Sequence, residues 1–528
     1  MATSLANPAA PPAPRESQPS HAWIWRWLFP SLGVVSLLAS CILWSLKKPL
    51  AGDENFTYVE LGDPSLGHLL RSAVHLGGGG MPLFYLTAWP WAHLFGRGEL
   101  SLRLYSSVAI CAAFWVICAV LQRLFGARAG FLGAAFALFA SLIVVDQNVE
   151  ARGYGLYLFL AAAAVALCLR VAEAPQPRWR DLSLLTLTQA GLVLGHVLGL
   201  LYGPLMLLAV VAADRLQRRF RLRVYLCLIA GWVALLPWIP AIRASAAVGQ
   251  PHSWIPMPGF DNLAVGFSFW LFGGIYYPLL HAHPIGVFFG WFCAVACVAV
   301  LFTASVAALR SAAPNRRAAI VLGLVLVLAP LVFFSVSRVL SPIYVPRYMI
   351  PSALGIAILA ATWVGRAGSA AKSMWPGWAL LLLPLVSAVV ATPVRLDTAG
   401  IDRLAAGQPV VCDWLDDFLT MTRYSVQPDA AEYPLDWPAA LQGPPAAVGA
   451  YHLMENYRAA GYLTSNLRDV SGVLAQSRFV VLDNTQTNWF HLEIENNPRF
   501  TWRVLARMNG KHRLIAVAQR KASAPTGK

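Results

Sequence analysis

Asp53 and Glu54 stand side by side in AGDENFTYVELGDPS, residues 51–65, a few positions past the first long apolar run. Two more acids, Asp146 and Glu150, precede Arg152 in DQNVEARGYGLY, and Arg338 precedes the late stretch SPIYVPRYMIP, which contains Arg347. Guanidinium forks match phosphate oxygens and stay charged at any relevant pH. A carboxylate beside them could take a proton from a hydroxyl that attacks a carbon whose leaving group is that phosphate. Such a set describes group transfer from a phospholipid-linked donor. Arginines alone can neutralise a monophosphate leaving group, so this chemistry demands no metal.

The elements that must position these residues are membrane helices. The chain has 528 residues, 58% hydrophobic and 12% charged, far from the balance of a soluble domain. Its apolar runs are continuous rather than alternating, which favours helices over a barrel, and a span needs roughly 20 residues. Runs fall near 29–47, 100–121, 129–146, 154–171, 182–196, 197–213, 224–244, 284–309, 318–337, 345–365 and 378–394. About eleven crossings are expected.

With the N-terminus in the cytoplasm, alternate connections are basic: Arg123 and Arg128; Arg170, Arg178 and Arg180; Arg215, Arg218, Arg219, Arg221 and Arg223; Arg310, Arg316 and Arg317; Arg366 and Lys372. This is the positive-inside pattern, and it explains the net charge of +15 without a nucleic-acid partner. It also requires MPLFYLTAWPWAHLFG, residues 81–96, to lie in the interface rather than cross, which suits a short stretch holding Pro82 and Pro90. Leu38-Ala39-Ser40-Cys41 resembles a lipoprotein processing box, yet apolar residues continue past it, as in an uncleaved signal anchor. The eight cysteines show no disulfide or metal-ligand spacing.

The expected fold is an all-α polytopic bundle with juxtamembrane helices, followed by a small α/β domain. Residues 1–22 read as a disordered cytoplasmic tail, 23–394 as the transmembrane domain with its first outer loop at 48–99, and 395–528 as the outer domain. In the last, PVVC, RFVVLDN and HRLIAVAQ read as strands.

The order of the pieces resembles a known family: GDENFTY after the first span, an aromatic stretch closing in LFGRGELSLRL, the basic turn LQRLFGARAG, then DQNVEARGYGLY and SPIYVPRYMIP. To about residue 365 the chain is similar to the bacterial membrane glycosyltransferases of the C-type (GT-C) superfamily, akin to protein O-mannosyltransferases and to the aminoarabinose transferase that modifies lipid A. The resemblance implies a polyprenyl-phosphate-linked sugar donor, a lipid, glycan or protein acceptor, inversion on the periplasmic face of the bacterial inner membrane, and no cofactor. It places the catalytic acid on Asp53 with Glu54 beside it, and the donor phosphate and lipid on Glu150, Arg152, Tyr154, Arg347 and Tyr348. One departure is Met81, which stands before Pro82 where many relatives carry His or Lys; Arg71 or His75 would have to substitute.

Other readings stay open at this stage. Asp53 could cap a following helix, and Glu54 could be its partner or an orienting residue. Glu150 and Arg152, two apart, do not face each other on a helix. Arg347 and Tyr348 could anchor at a headgroup. His196 reads as a structural histidine, while His252 and Trp254 could stack on a sugar. Asp413, Asp416 and Asp417 in CDWLDDF read as caps or surface acids rather than metal ligands. A transporter or flippase using the same charges is the alternative function, and it would predict inverted repeats and charge near the midplane. A noncatalytic subunit of envelope assembly is a third.

Overall fold

The computed structural model describes residues 23–521 apart from 74–75, 77–80, 250–252, 267–270, 272, 274–283, 368–372, 394, 485–488 and 509–512. Each apolar run folds as a helix or a broken pair. Among the described residues six helical segments are long and apolar enough to cross a bilayer: Ile24–Lys47, Glu99–Phe125, Tyr154–Glu173, Gly199–Leu216, Leu222–Ala244 and Pro314–Val339. Shorter helices occupy the remaining runs, at Trp179–Gly195, Val295–Leu309, Ser352–Arg366 and Trp375–Val390. The run at 129–146 departs from expectation. It bends by 75° between two helices, where Ser141 Oγ accepts the Val144 amide at 3.3 Å and starts the second one anew.

Seven elements build the end of the bundle that carries Asp53. They are α1 (Phe29–Lys47), α2 (Asp53–Glu60), α3 (Leu66–Ser72), α4 (Pro82–Phe95), α5 (Glu99–Phe125), the broken pair α6 (Ala127–Phe139) and α7 (Leu142–Asn148), and α8 (Tyr154–Glu173). At 14 residues, α4 is about 21 Å long, too short to span, and it lies against α3, α5 and the Trp179–Gly195 helix. Within a bilayer, helix contacts are set by close packing of small residues. A Cβ on Gly155 would stand 2.3 Å from the Ser106 carbonyl, so only glycine lets α8 press onto α5. A Cβ on Gly133 would likewise stand 2.6 Å from the Ala357 carbonyl, where α6 meets the Ser352–Arg366 helix. These two crossings bring the starts of both partner helices, and with them Tyr154 and Tyr348, to one end.

Basic side chains gather at the other end of α1. Arg128 lies over the Trp25 ring, Gln122 bonds the Trp25 carbonyl, and Arg316 bonds the carbonyl of Leu124. The charge asymmetry read from the sequence is thus a property of the folded bundle.

Beyond residue 395 a six-stranded sheet forms in the order β3-β2-β1-β4-β6-β5, with β1 Val410–Cys412, β2 Ala431–Leu435, β3 Leu467–Asp469, β4 Arg478–Asn484, β5 Phe500–Met508 and β6 Arg513–Arg520. The first four strands are parallel and β6 pairs antiparallel with both β4 and β5. Central β1 and β4 are buried almost throughout, which accounts for their unbroken apolar sequence. The sheet unit clamps the loop after α1, residues 48–99. Phe56 and Leu76 join its core, Tyr457 donates to buried Glu60 at 2.6 Å, Tyr462 donates to Asp63, and Arg423 and Tyr424 hold Glu99 at 2.9 and 2.6 Å.

Candidate active site

Gly52, at φ +53°, turns the chain back after α1 so that Asp53 becomes the first residue of α2. Its side chain does not cap that helix. Instead Asp53 Oδ2 meets Arg347 Nη2 at 2.9 Å, and Arg152 Nη1 donates to the Asp53 carbonyl at 3.1 Å and lies 3.4 Å from Thr57 Oγ1. Ninety-nine residues separate Asp53 from Arg152 in sequence, and α8 pressed against α5 closes that gap.

A cavity of about 280 Å³ opens beside this pair, lined by Asp53, Met81, Phe84, Arg152, Tyr154, His196, Trp254, Arg347 and Tyr348 among others. The Arg347 guanidinium lies 5.2 Å from the Trp254 ring centre, 5.8 Å from Tyr154 and 5.9 Å from Tyr348, a cation held among three aromatic faces. Tyr154 and Tyr348 stack at 6.2 Å, and His196 stacks on Tyr157 at 4.6 Å. Arg347 Nε is buried with no acceptor among the described residues. Two guanidinium groups and one carboxylate line the cavity, which gives its wall a net positive charge suited to an anion. Burial alone would raise the Asp53 carboxyl, but Arg152 and Arg347 outweigh it and hold it below the usual carboxylate range. Asp53 is therefore an ionised acceptor with its side chain about 35% exposed.

The other acid of the expected catalytic pair lies elsewhere. Glu54 is wholly buried, outside the cavity lining, with its carboxylate forked onto Arg103 at 2.7 and 2.7 Å. It also accepts the amides of Ala151 at 3.0 Å and Ala51 at 3.3 Å. Adjacent residues on a helix point about 100° apart, so when Asp53 faces the cavity its neighbour faces the core. These contacts put Glu54 in the orienting role, locking the α2 entry to the loop bearing Arg152. Glu150 likewise lies away from the cavity. It is absent from the lining and pairs with Lys48 at 2.7 Å, while Arg152, two residues on, turns to Asp53.

The arginine at 338 does not line the cavity and bonds the Pro258 carbonyl at 3.2 Å. Met81 does line it, 5% exposed, while Arg71 does not. His75 and His252 lie outside the described residues. In CDWLDDF, Asp417 is forked onto Arg513 and Asp413 accepts the Asn484 amide. Among the described residues no three His, Cys, Asp or Glu side chains form a group that could hold a metal ion.

Sequence reasoning missed Lys48, and noted Arg103 as an outward-facing charge without giving it a partner; they pair with Glu150 and Glu54. Both fall inside stretches already singled out, and two acids entering a helical bundle require cations nearby.

Residues 80–242 match the family model described as dolichyl-phosphate-mannose-protein mannosyltransferase. No curated protein matches the chain in sequence. The structure is similar to that of ArnT from Cupriavidus metallidurans in the apo state, with 15% identity, a TM-score of 0.58, and 94% of this chain and 98% of that one covered. The same ArnT bound to undecaprenyl phosphate aligns with a TM-score of 0.54 over the same shares, again at 15% identity. The chain therefore carries the fold of the C-type membrane glycosyltransferases, with a mannosyltransferase-type sequence pattern across residues 80–242.

Proposed function

We propose that the protein is a glycosyltransferase that moves a sugar from a polyprenyl-phosphate donor to an acceptor at the outer face of a bacterial inner membrane. The observation that carries this reading is Asp53 paired with Arg347 and flanked by Arg152 in an aromatic-lined, net-positive cavity. A solved protein of this fold, ArnT, binds undecaprenyl phosphate.

In this mechanism the donor phosphate takes over Arg347 and Arg152, and the Tyr154 and Tyr348 rings flank it. Asp53, released from its ion pair, accepts the proton of the acceptor hydroxyl as that oxygen bonds the anomeric carbon. The bond from that carbon to phosphate breaks on the opposite face, inverting the centre, and the phosphate leaves with its charge held by the two guanidinium groups. Each step balances within donor, acceptor and Asp53, and none calls on a metal. Trp254, beside Arg347 in the lining, would stack on the sugar.

The test is mass spectrometry of envelope lipids, glycans and proteins from cells with wild-type protein, Asp53→Asn or no gene. A hexose- or pentose-sized mass increment present only with wild type is expected. Identical envelopes in all three would refute the reading, and unimpaired transfer by Asp53→Asn would remove Asp53 as the base.

A further inference from the structure

At the end of the bundle far from Asp53, the chain makes a wide turn just before α1. The Phe29 amide bonds the Ile24 carbonyl, five residues back, and Pro30 has no N–H to give. The Trp25 carbonyl is taken instead by Gln122 Nε2 of α5 at 2.8 Å. This turn sends Trp25 into the core, 4.6 Å from the Phe29 ring, and leaves Arg26 and Trp27 outside. The Gln122 bond holds both against the last turns of α5.

A cavity of about 480 Å³ opens in the angle between the two helices, lined by Arg26, Trp27, Pro30, Trp115, Gln122 and Arg123 among others. The Trp27 and Trp115 rings stand 6.3 Å apart, and the Arg26 guanidinium lies 5.8 Å from the Trp27 ring centre. No acid among the described residues lines the cavity. Arg123 meets Glu173 outside it at 3.1 Å with half its side chain exposed, and among the described residues no carboxylate pairs with Arg26. Trp115, Ala119, Gln122 and Arg123 share one face of α5, and exposed Val108, seven residues before Trp115, continues that face as an apolar wall toward the middle of the span. Cations, then indole rings, then hydrocarbon follow the order of a phospholipid from phosphate to chain.

We propose that this cavity binds the headgroup of a diacyl phospholipid with a net negative charge, of the phosphatidylglycerol class, in the leaflet at the basic end of the bundle. Basic pockets between membrane helices take anionic headgroups in this way. The phosphate diester sits between Arg26 and Arg123, the glycerol backbone lies against the tryptophan pair, and one chain follows α5 past Val108. A headgroup carrying its own ammonium would set that cation beside two guanidinium groups with no carboxylate in the lining to receive it, which selects against zwitterionic lipids. The 19 residues of α1 rise about 28 Å between this site and the loop bearing Asp53, so it is separate from the donor cavity and does not depend on the donor reading.

The experiment measures dioleoylphosphatidylglycerol binding to the full-length protein by native mass spectrometry, with dioleoylphosphatidylcholine for comparison and inorganic phosphate as competitor, for wild type, Arg26→Gln and Arg366→Gln. Arg366 is an exposed arginine at the same end that does not line the cavity, so its loss removes equal charge without touching the site. One phosphatidylglycerol should bind wild type at least about tenfold tighter than phosphatidylcholine, as one charge-assisted hydrogen bond would give, and phosphate at equal concentration should not displace it. Arg26→Gln should lose this preference while its lipid-free form unfolds at the wild-type temperature, and Arg366→Gln should keep it. Equal losses in both variants would reduce the effect to the general attraction of a basic surface and overturn the proposal. A wild type without the preference, or displacement by phosphate, would overturn it too.

Discussion

Asp53 and Glu54 are adjacent, yet their loss should harm the protein in different ways. Glu54 and Arg103 are both wholly buried, and the carboxylate meets Arg103 through two bonds of 2.7 Å. Glu54→Gln removes the charge and turns one of the two acceptor oxygens into an NH2 donor against Arg103, whose other partners are the neutral Lys48 and Pro49 carbonyls at 2.6 and 3.0 Å. Stranding one partner of a buried pair costs about 3–5 kcal/mol. The Asp53–Arg347 pair is about one third exposed on each side, so Asp53→Asn should cost no more than about 1 kcal/mol. The assay is thermal unfolding of purified variants in detergent beside a transferase assay in nanodiscs. Asp53→Asn should unfold near the wild-type temperature and lose roughly 10²–10⁴ in kcat. Glu54→Gln should unfold well below it, and Glu54→Leu with Arg103→Met, which removes both charges, should recover much of the loss. A Glu54→Gln protein that unfolds like wild type but is inactive would put Glu54 into the chemistry and refute this division of roles.

Three further outcomes follow from the same geometry. Met81→Lys adds a cation to the cavity lining, and undecaprenyl phosphate should bind at least about tenfold tighter, as one charge-assisted hydrogen bond of about 1.5–3 kcal/mol would give; unchanged affinity would place that side chain away from the phosphate. Tyr457→Phe removes one of two tyrosines bonded to buried Glu60, the other being Tyr85 at 2.8 Å, and thermal unfolding should show a loss of about 1–3 kcal/mol; an unchanged transition would mean that Glu60 is satisfied otherwise. Gly155→Val forces α8 off the Ser106 carbonyl and should abolish transfer by displacing Arg152 and Tyr154; activity near wild type would show that the helix crossing does not set the site.

Much of this architecture was legible in the chain itself. Eleven apolar runs gave the helices, because a bilayer admits few other solutions for backbone polar groups. The basic loops gave the asymmetry of the bundle, and buried parallel strands announced themselves as unbroken apolar stretches such as RFVVLDN. Asp53, Arg152 and Arg347 were named from residue type and order, and Tyr154 and Tyr348 from the family resemblance; the structure brings all five to one cavity.

Direction was not legible. Glu54 and Glu150 carry the same chemistry as Asp53, and nothing in their local sequence says that Arg103 and Lys48 will claim them. The 75° break after Phe139 was hidden inside a continuous apolar run, since hydropathy reports burial and is blind to the path of the backbone. Sequence thus determined which groups could do chemistry and that helices would carry them. Only tertiary packing, through close glycine crossings and the docking of the sheet unit on α2, decided which carboxylate faces the arginines and which are neutralised in the core, because facing depends on contacts between residues far apart in the chain.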